Sequence, residues 1–335
     1  MRPLNQFPPE LIDHILSCLS RSDLKAARLT CRALSGIATH WLYHSIYTRI
    51  PSFQNNVVRQ EIEGLQELVS KFAPLVHKID IDGGDDYCPF EVASFLDKLP
   101  ALEKIYMCGV RTSWYHDQFF HGDFEKAMLR ASLITPIETR ILADLKSLTL
   151  KVHQDHGDWI LTHLGILFLI PQLQQLTLDH IVLNYGDPAF PRPWSSSGLT
   201  HYSNQTGLKS LCIVDSYIDL QALEEILSPP KALTHLRLES RHPDCDELPD
   251  GWQERTCNRE AIYRAIAQQR LSLEKLDIQW DVRSAPLEGP GWTRVRFPRL
   301  RERKVTFGAM DESHQFEIGD LNSRNEGVRH PNVIP

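Results

Sequence analysis

The sequence predicts an α/β protein: a small three-helix unit followed by an irregular, curved repeat solenoid with a parallel sheet on its concave face. Three observations carry that expectation. A short leucine phrase recurs seven times between residues 76 and 278. Each copy ends in an apolar-x-apolar alternation, the period of a strand with one buried face. The first fifty residues have a different texture, with no glycine before Gly36 and helical rather than alternating apolar spacing. At 335 residues the chain has room for two such units.

Composition narrows the function classes. Hydrophobic residues are 42% and charged residues 24% of the chain, a globular rather than a disordered balance. Forty-three acidic side chains against 36 basic ones leave a net charge of −7. That charge gives no general attraction to nucleic acid or to an anionic membrane. The first twenty residues include Pro8, Pro9, Glu10 and Asp13 and lack the apolar run of a signal peptide. The most apolar stretch, residues 160–170, is broken by Thr162, His163 and Gly165. It is far short of the ~20 residues a membrane span needs. Seven scattered cysteines without a C-x-x-C pair read as reduced thiols of a soluble, cytoplasmic or nuclear chain.

The first element is a helix over residues 9–19, with Pro9 suited to its first turn. At 100° per residue, Cys18, Leu11, Ile15, Leu19, Ile12 and Leu16 cover about 160°, more than the ~100° stripe of a helix packed on one side. A second, short helix enters through Ser22 or Asp23 and carries Leu24, Ala27 and Leu29. A third places Cys31, Leu34, Ala38, Trp41 and Leu42 on one stripe. A unit of fifty residues is marginal alone, so its surplus apolar surface implies docking on a partner or on the neighbouring domain. Helix-in-groove association suits the pattern.

The residues themselves support a resemblance. Phe7-Pro8-Pro9-Glu10-Leu11-Ile12, then Ser22-Asp23-Leu24, then Leu29-Thr30-Cys31-Arg32 and Trp41 closely resemble an F-box over residues 1–50, with Phe7 where the family has Leu. The resemblance implies binding to an Skp-type adaptor and, through it, to a cullin scaffold. Carried over position by position, the implied adaptor contacts are Pro8, Pro9, Leu11, Ile12, Ile15, Leu16, Leu24, Leu29 and Cys31. Some of these must instead pack the unit's own core, and the sequence does not sort them.

Residues 51–72 read as a linking helix and residues 73–307 as the solenoid. The leucine phrase stands clearest as Leu142–Leu145–Leu148–Leu150, Ile170–Leu173–Leu176–Leu178 and Leu99–Leu102–Ile105–Met107. Counted at the residue opening the final alternation, copies fall at 79, 105, 148, 176, 211, 236 and 276. Three of the intervals lie within the 20–29 residues of leucine-rich repeats, and three carry insertions. Helical segments are read at 90–99, after Asp219 and after Asn258. A doubly wound α/β domain would need longer all-apolar strands, whereas these are read as three to five residues with polar alternates. Residues 308–335 read as a loosely ordered tail.

The candidate motifs for chemistry all have plainer readings. His153–Asp158 reads as a polar turn, and His242, Cys245 and Cys257 give three zinc donors with no fourth. Residues 82–86 read as an acidic glycine turn without calcium-loop spacing. No nucleophile elbow, P-loop or nucleotide fingerprint is present. Cys31 is placed on a packed stripe, so no catalytic thiol, no metal and no cofactor is expected.

Two surfaces remain for a protein substrate. Asp80, Tyr106, Thr149, Thr177, Cys212, Arg237 and Asp277 fall at outward strand positions, and thus on one concave row. Arg299, Arg301 and Arg303 belong to a run of six basic residues in eleven, set by period two on one strand face. That run reads either as an end cap of the solenoid or as an anion site for an acidic substrate segment.

An F-box followed by leucine-rich repeats resembles the substrate receptors of Skp–cullin–F-box ubiquitin ligases, and the order of elements is similar to F-box proteins of filamentous fungi. The resemblance implies no enzyme: the chain supplies proximity between a substrate and a ubiquitin-charged enzyme. The alternative is a repeat scaffold that keeps the adaptor contact without a role in ubiquitination.

Overall fold

The computed structural model describes residues 7–50, 55–87, 95–110, 123–152, 165–183, 198–218, 220–240, 259–280 and 296–307. Helices α1 (Pro9–Ser17), α2 (Arg21–Thr30) and α3 (Arg32–His44) form the N-terminal unit. A proline opens α1, where a missing amide costs nothing. The cap of α2 is Ser20, whose Oγ accepts the Asp23 amide at 3.2 Å, two residues before Ser22, the nearer of the two expected caps. Leu16, Leu24, Leu34, Ala38 and Leu42 make its core, with Ile12, Leu19, Ala27 and Trp41 packed against them. Trp41 Nε1 donates to Asp13 Oδ1 at 2.8 Å and ties α3 to α1.

The helical unit runs directly into the sheet. Strand β1 (Ser45–Ile50) follows α3 with no intervening residue and pairs in parallel with β2 (Lys78–Tyr87) along six positions. Ile46 is 3% exposed and belongs to the sheet's core. Helix α4 (Asn55–Phe72) occupies the expected linking segment, but Leu65 and Val69 are buried in that same core. It is a packing layer of the sheet.

After β2 come β3 (Lys104–Val110), β4 (Ser147–Val152), β5 (Gln175–Asp179), β6 (Val182–Leu183), β7 (Ser210–Ile218), β8 (His235–Ser240), β9 (Lys275–Trp280) and β10 (Glu302–Phe307). Nine strands lie side by side in chain order, all parallel, with β6 paired to the far end of β7. Sequential parallel neighbours are what a stack of strand–turn–helix units produces. The seven sequence copies stand in register: Ile79, Ile105, Leu148, Leu176, Leu211, Leu236 and Leu276 face one another rung by rung. The earlier leucines of the phrase, Leu102, Leu145, Leu173, Leu208, Leu233 and Leu273, are buried beneath them.

A backbone device repeats with the strands. The His77 carbonyl accepts the amides of Glu103 and Lys104, and the Glu103 carbonyl accepts those of Lys146 and Ser147. The pattern continues through Lys146, Gln174, Lys209, Thr234 and Glu274, the last receiving Arg301 and Glu302. Each turn of chain thus satisfies its polar groups on the next.

The connecting segments include α5 (Asp123–Ala131), α6 (Leu220–Ile226) and α7 (Arg259–Ala267). The sequence reading missed α5, whose Phe124, Ala127 and Met128 are buried. Strands are longer than expected, six residues being common and ten the length of β2. Asp82 and the residues to Tyr87 extend β2 past a register shift and are no turn. Within 90–99 the described part holds one 3-10 turn, Leu96–Lys98. Asp219, Asn258, residues 153–158, 242–257 and 308–335 lie outside the described residues.

Candidate protein-interaction surfaces

The packing of α1 on α3 sorts the nine implied adaptor contacts. Leu16 and Leu24 are 4% and 6% exposed and pack the helical unit's own core. Ile12 is half-buried against the same core. Pro8, Pro9, Leu11, Ile15, Leu29 and Cys31 are exposed, as is Phe7. Leu29 is 85% exposed, an extreme value for a leucine on a helix. Cys31 is corrected too: it is the extended residue at the N-cap of α3, off the packed stripe. Among the described residues Cys18, Cys31, Cys108 and Cys212 are free thiols.

The open face of the sheet brings the predicted outward residues into one line. Asp80, Tyr106, Thr149, Thr177, Cys212, Arg237 and Asp277 are partners from strand to strand. Tyr47 and Lys304 extend the row at its two ends, positions the sequence reading did not reach. Neighbouring charges pair across the face: Lys151 with Asp179 at 2.9 Å, and Arg237 with Glu239 at 3.2 Å and Asp277 at 3.8 Å. The Asp179 hydrogen bond holds the Lys151 ammonium above its usual range. Burial, outweighing the Arg237 charge, pushes the Cys212 thiol up and keeps it protonated.

The basic run is arranged otherwise than period two suggests. Arg299 and Arg301 are exposed but precede β10, and Arg303 takes the inward slot opposite Leu276. Lys304 is the basic residue of the run that reaches the open row. A concavity of ≈ 640 Å³ lies over β7 to β10. Arg237, Lys275, Arg303 and Lys304 line it against the acidic Asp277 and Glu302.

Two clusters of chemistry-bearing side chains escaped the sequence reading. Asp179 and His180 at the end of β5 meet Asp215 within β7, with His180 Nδ1 at 2.7 Å from Asp179 Oδ1. Where α3 meets the first edge of the sheet, His40, Trp41, His44 and His77 pack ring against ring. Burial first, then the His77 and His40 rings, push the His44 imidazole below its ordinary range. The i, i+4 spacing of His40 and His44 was legible on the helix, but their approach to His77 depends on the fold.

A helical unit with exposed apolar side chains joined to a parallel sheet with a polar open face is an architecture suited to protein contacts. Comparison with protein families then specifies the first half: residues 4–49 match the F-box-like domain. An F-box implies binding of an Skp-type adaptor, and F-box proteins are typically adaptors rather than enzymes. No curated protein matches the chain. No described helix is long and apolar enough to cross a membrane.

Proposed function

We propose that this chain is a substrate receptor of a Skp–cullin–F-box ubiquitin ligase, its F-box seated on the Skp-type adaptor and its leucine-rich repeats holding a protein substrate for degradation. One observation carries the reading: the matched F-box region leaves Phe7, Leu11, Ile15 and Leu29 outside its own core, on the same chain as a nine-rung open sheet. The repeat assignment rests on the in-register leucines and the recurring two-amide carbonyl. The row from Asp80 to Asp277, with Arg237 and Lys304 at its basic end, is the surface we assign to substrate. Arg299 and Arg301 flank that end.

Affinity purification of the tagged chain tests the reading. Adaptor and cullin should co-purify, and a ubiquitinated target should accumulate when the proteasome is inhibited. Leu11→Asp puts a carboxylate into a dry contact and should abolish adaptor recovery. Adaptor binding that survives both Leu11→Asp and deletion of residues 1–50 refutes the proposal.

A further inference from the structure

We propose that His40, His44 and His77 form an acid-sensitive latch between the helical unit and the sheet, closed while the three imidazoles are neutral and loosened as they take up protons. His40 and His44 lie one turn apart at the C-terminal end of α3, and His77 stands just before β2. The ring centres are 5.5 Å apart for His40–His44, 4.6 Å for His44–His77 and 6.0 Å for His40–His77. All three side chains are half-buried, and His44 and His77 stack with planes 24° apart. The His77 amide donates to the His44 carbonyl at 3.0 Å, next to the first rung of the sheet, where Ser45 pairs with Lys78. The rings therefore meet where the chain passes from helix to strand.

Their surroundings suit imidazole and not imidazolium. A protonated ring donates from both nitrogens. His44 Nδ1 is buried and makes no hydrogen bond, so a proton on it would be a donor without an acceptor. Positive charges on rings this close also repel one another. Around His44 the charges that act come from His40 on its own helix, His77 before β2, and Glu103 and Lys104 before β3. Glu103 is the carboxylate of that group. It lies 3.6 Å from His77 Nδ1 and is shared with Lys146 at 3.1 Å, so it can offset one imidazolium and not three. Of the other elements packed on α3, α1 brings Asp13, which is held by Trp41 Nε1. From α4 comes Lys71, which sits over the Phe72 ring that stacks on Tyr43.

Burial, with His77 and His40, holds His44 below its ordinary value, so it binds a proton more readily in the unfolded chain than in the folded one. The stability it contributes is complete above the ordinary imidazole value of ~6.5 and is lost as pH falls from there toward the lower folded value. The cores on either side are built of apolar side chains, so mild acid frees the joint and leaves both units folded. The latch is a property of the chain itself and holds whatever partners the chain has.

The experiment is hydrogen exchange of the full chain, read by mass spectrometry at about pH 7.5 and about pH 5.8 and corrected for intrinsic rates. At the lower pH, residues 40–50 and 76–80 should lose protection at least ~5-fold, while residues 147–152 and 175–179 in mid-sheet keep theirs. His44→Phe keeps a ring to stack on His77 but cannot take up a proton, and should abolish most of that loss. His201→Gln, at an exposed position away from the joint, should leave the loss as it is. Equal protection of the joint at both pH values overturns the proposal, as does an undiminished loss in His44→Phe. A loss spread evenly over joint and mid-sheet is acid unfolding of the whole chain and also overturns it. Should His44→Phe melt early at the higher pH, the His40→Gln/His77→Gln variant takes its place under the same criteria.

Discussion

Gln269 has an uncharged polar side chain 4% exposed beneath the sheet. Its Nε2 donates to the Leu227 and Pro230 carbonyls at 2.9 Å each, and its Oε1 accepts the Leu233 amide at 3.1 Å. The amide thus clasps the turn before β8 to the end of α7. Gln269→Leu keeps the bulk but strands one amide and two carbonyls, and should cost roughly 3 kcal/mol. Urea unfolding of the two proteins measures it. A contrast in the helical unit checks how its leucines divide. Leu24→Ala should lose about 2–5 kcal/mol of stability, the cost of a cavity. Leu29→Ala should change the melt little and impair adaptor capture. At this scale the sequence was only half legible. The wide apolar arc of α1 was visible, but which side faces α3 depends on how the helices cross, and therefore on where Leu34, Ala38 and Leu42 of α3 come to lie.

At the scale of elements, the middle of the sheet was readable because every rung repeats the same buried phrase. Its two edges were not. In β1, Ile46 and Thr48 alternate with Tyr47 and Arg49, yet no leucine phrase precedes them, since the last turn of α3 takes its place. In β10 the inward slot opposite Leu276 is Arg303, which breaks the apolar pattern. Arg303 is exposed on this edge strand, and partial burial lowers its guanidinium below the usual range, opposed by Tyr263, so the outermost rung ends the apolar pattern with a cation at the sheet's edge. If β1 and α4 are part of the sheet, a fragment of residues 45–307 should melt cooperatively by circular dichroism. A fragment of residues 73–307 lacks both and bares Ile79 and Ile81 at an open edge, so it should aggregate. Equal solubility of the two fragments contradicts a stabilising role for β1 and α4 in the sheet.

For the whole molecule, the sequence foresaw the charge balance, the parallel order and the outward row, all consequences of periodicity. The docking of the helical unit on the sheet and the concavity over β7 to β10 depend on contacts between segments far apart in sequence. Reversing Arg237 and Lys304 to Glu should weaken capture of an acidic substrate, chiefly by slowing association at low salt. Adaptor binding should be unchanged, and so should the melt, because exposed charges contribute only ~0–1 kcal/mol each. Substrate association with unchanged rate and salt dependence sends the substrate surface elsewhere on the sheet. The junction of α3 and β1 adds a mechanical consequence. His44 ends the helix, Ser45 begins the strand, and Tyr43 stacks on Phe72 of α4 with ring centres 3.6 Å apart. In the proposed receptor role this junction would be a ruler rather than a tether: cargo would be presented at one set distance and angle from the scaffold, and which lysines are modified would be a matter of reach. Splicing a few glycines between residues 44 and 45 should widen the choice of lysines without altering what is captured.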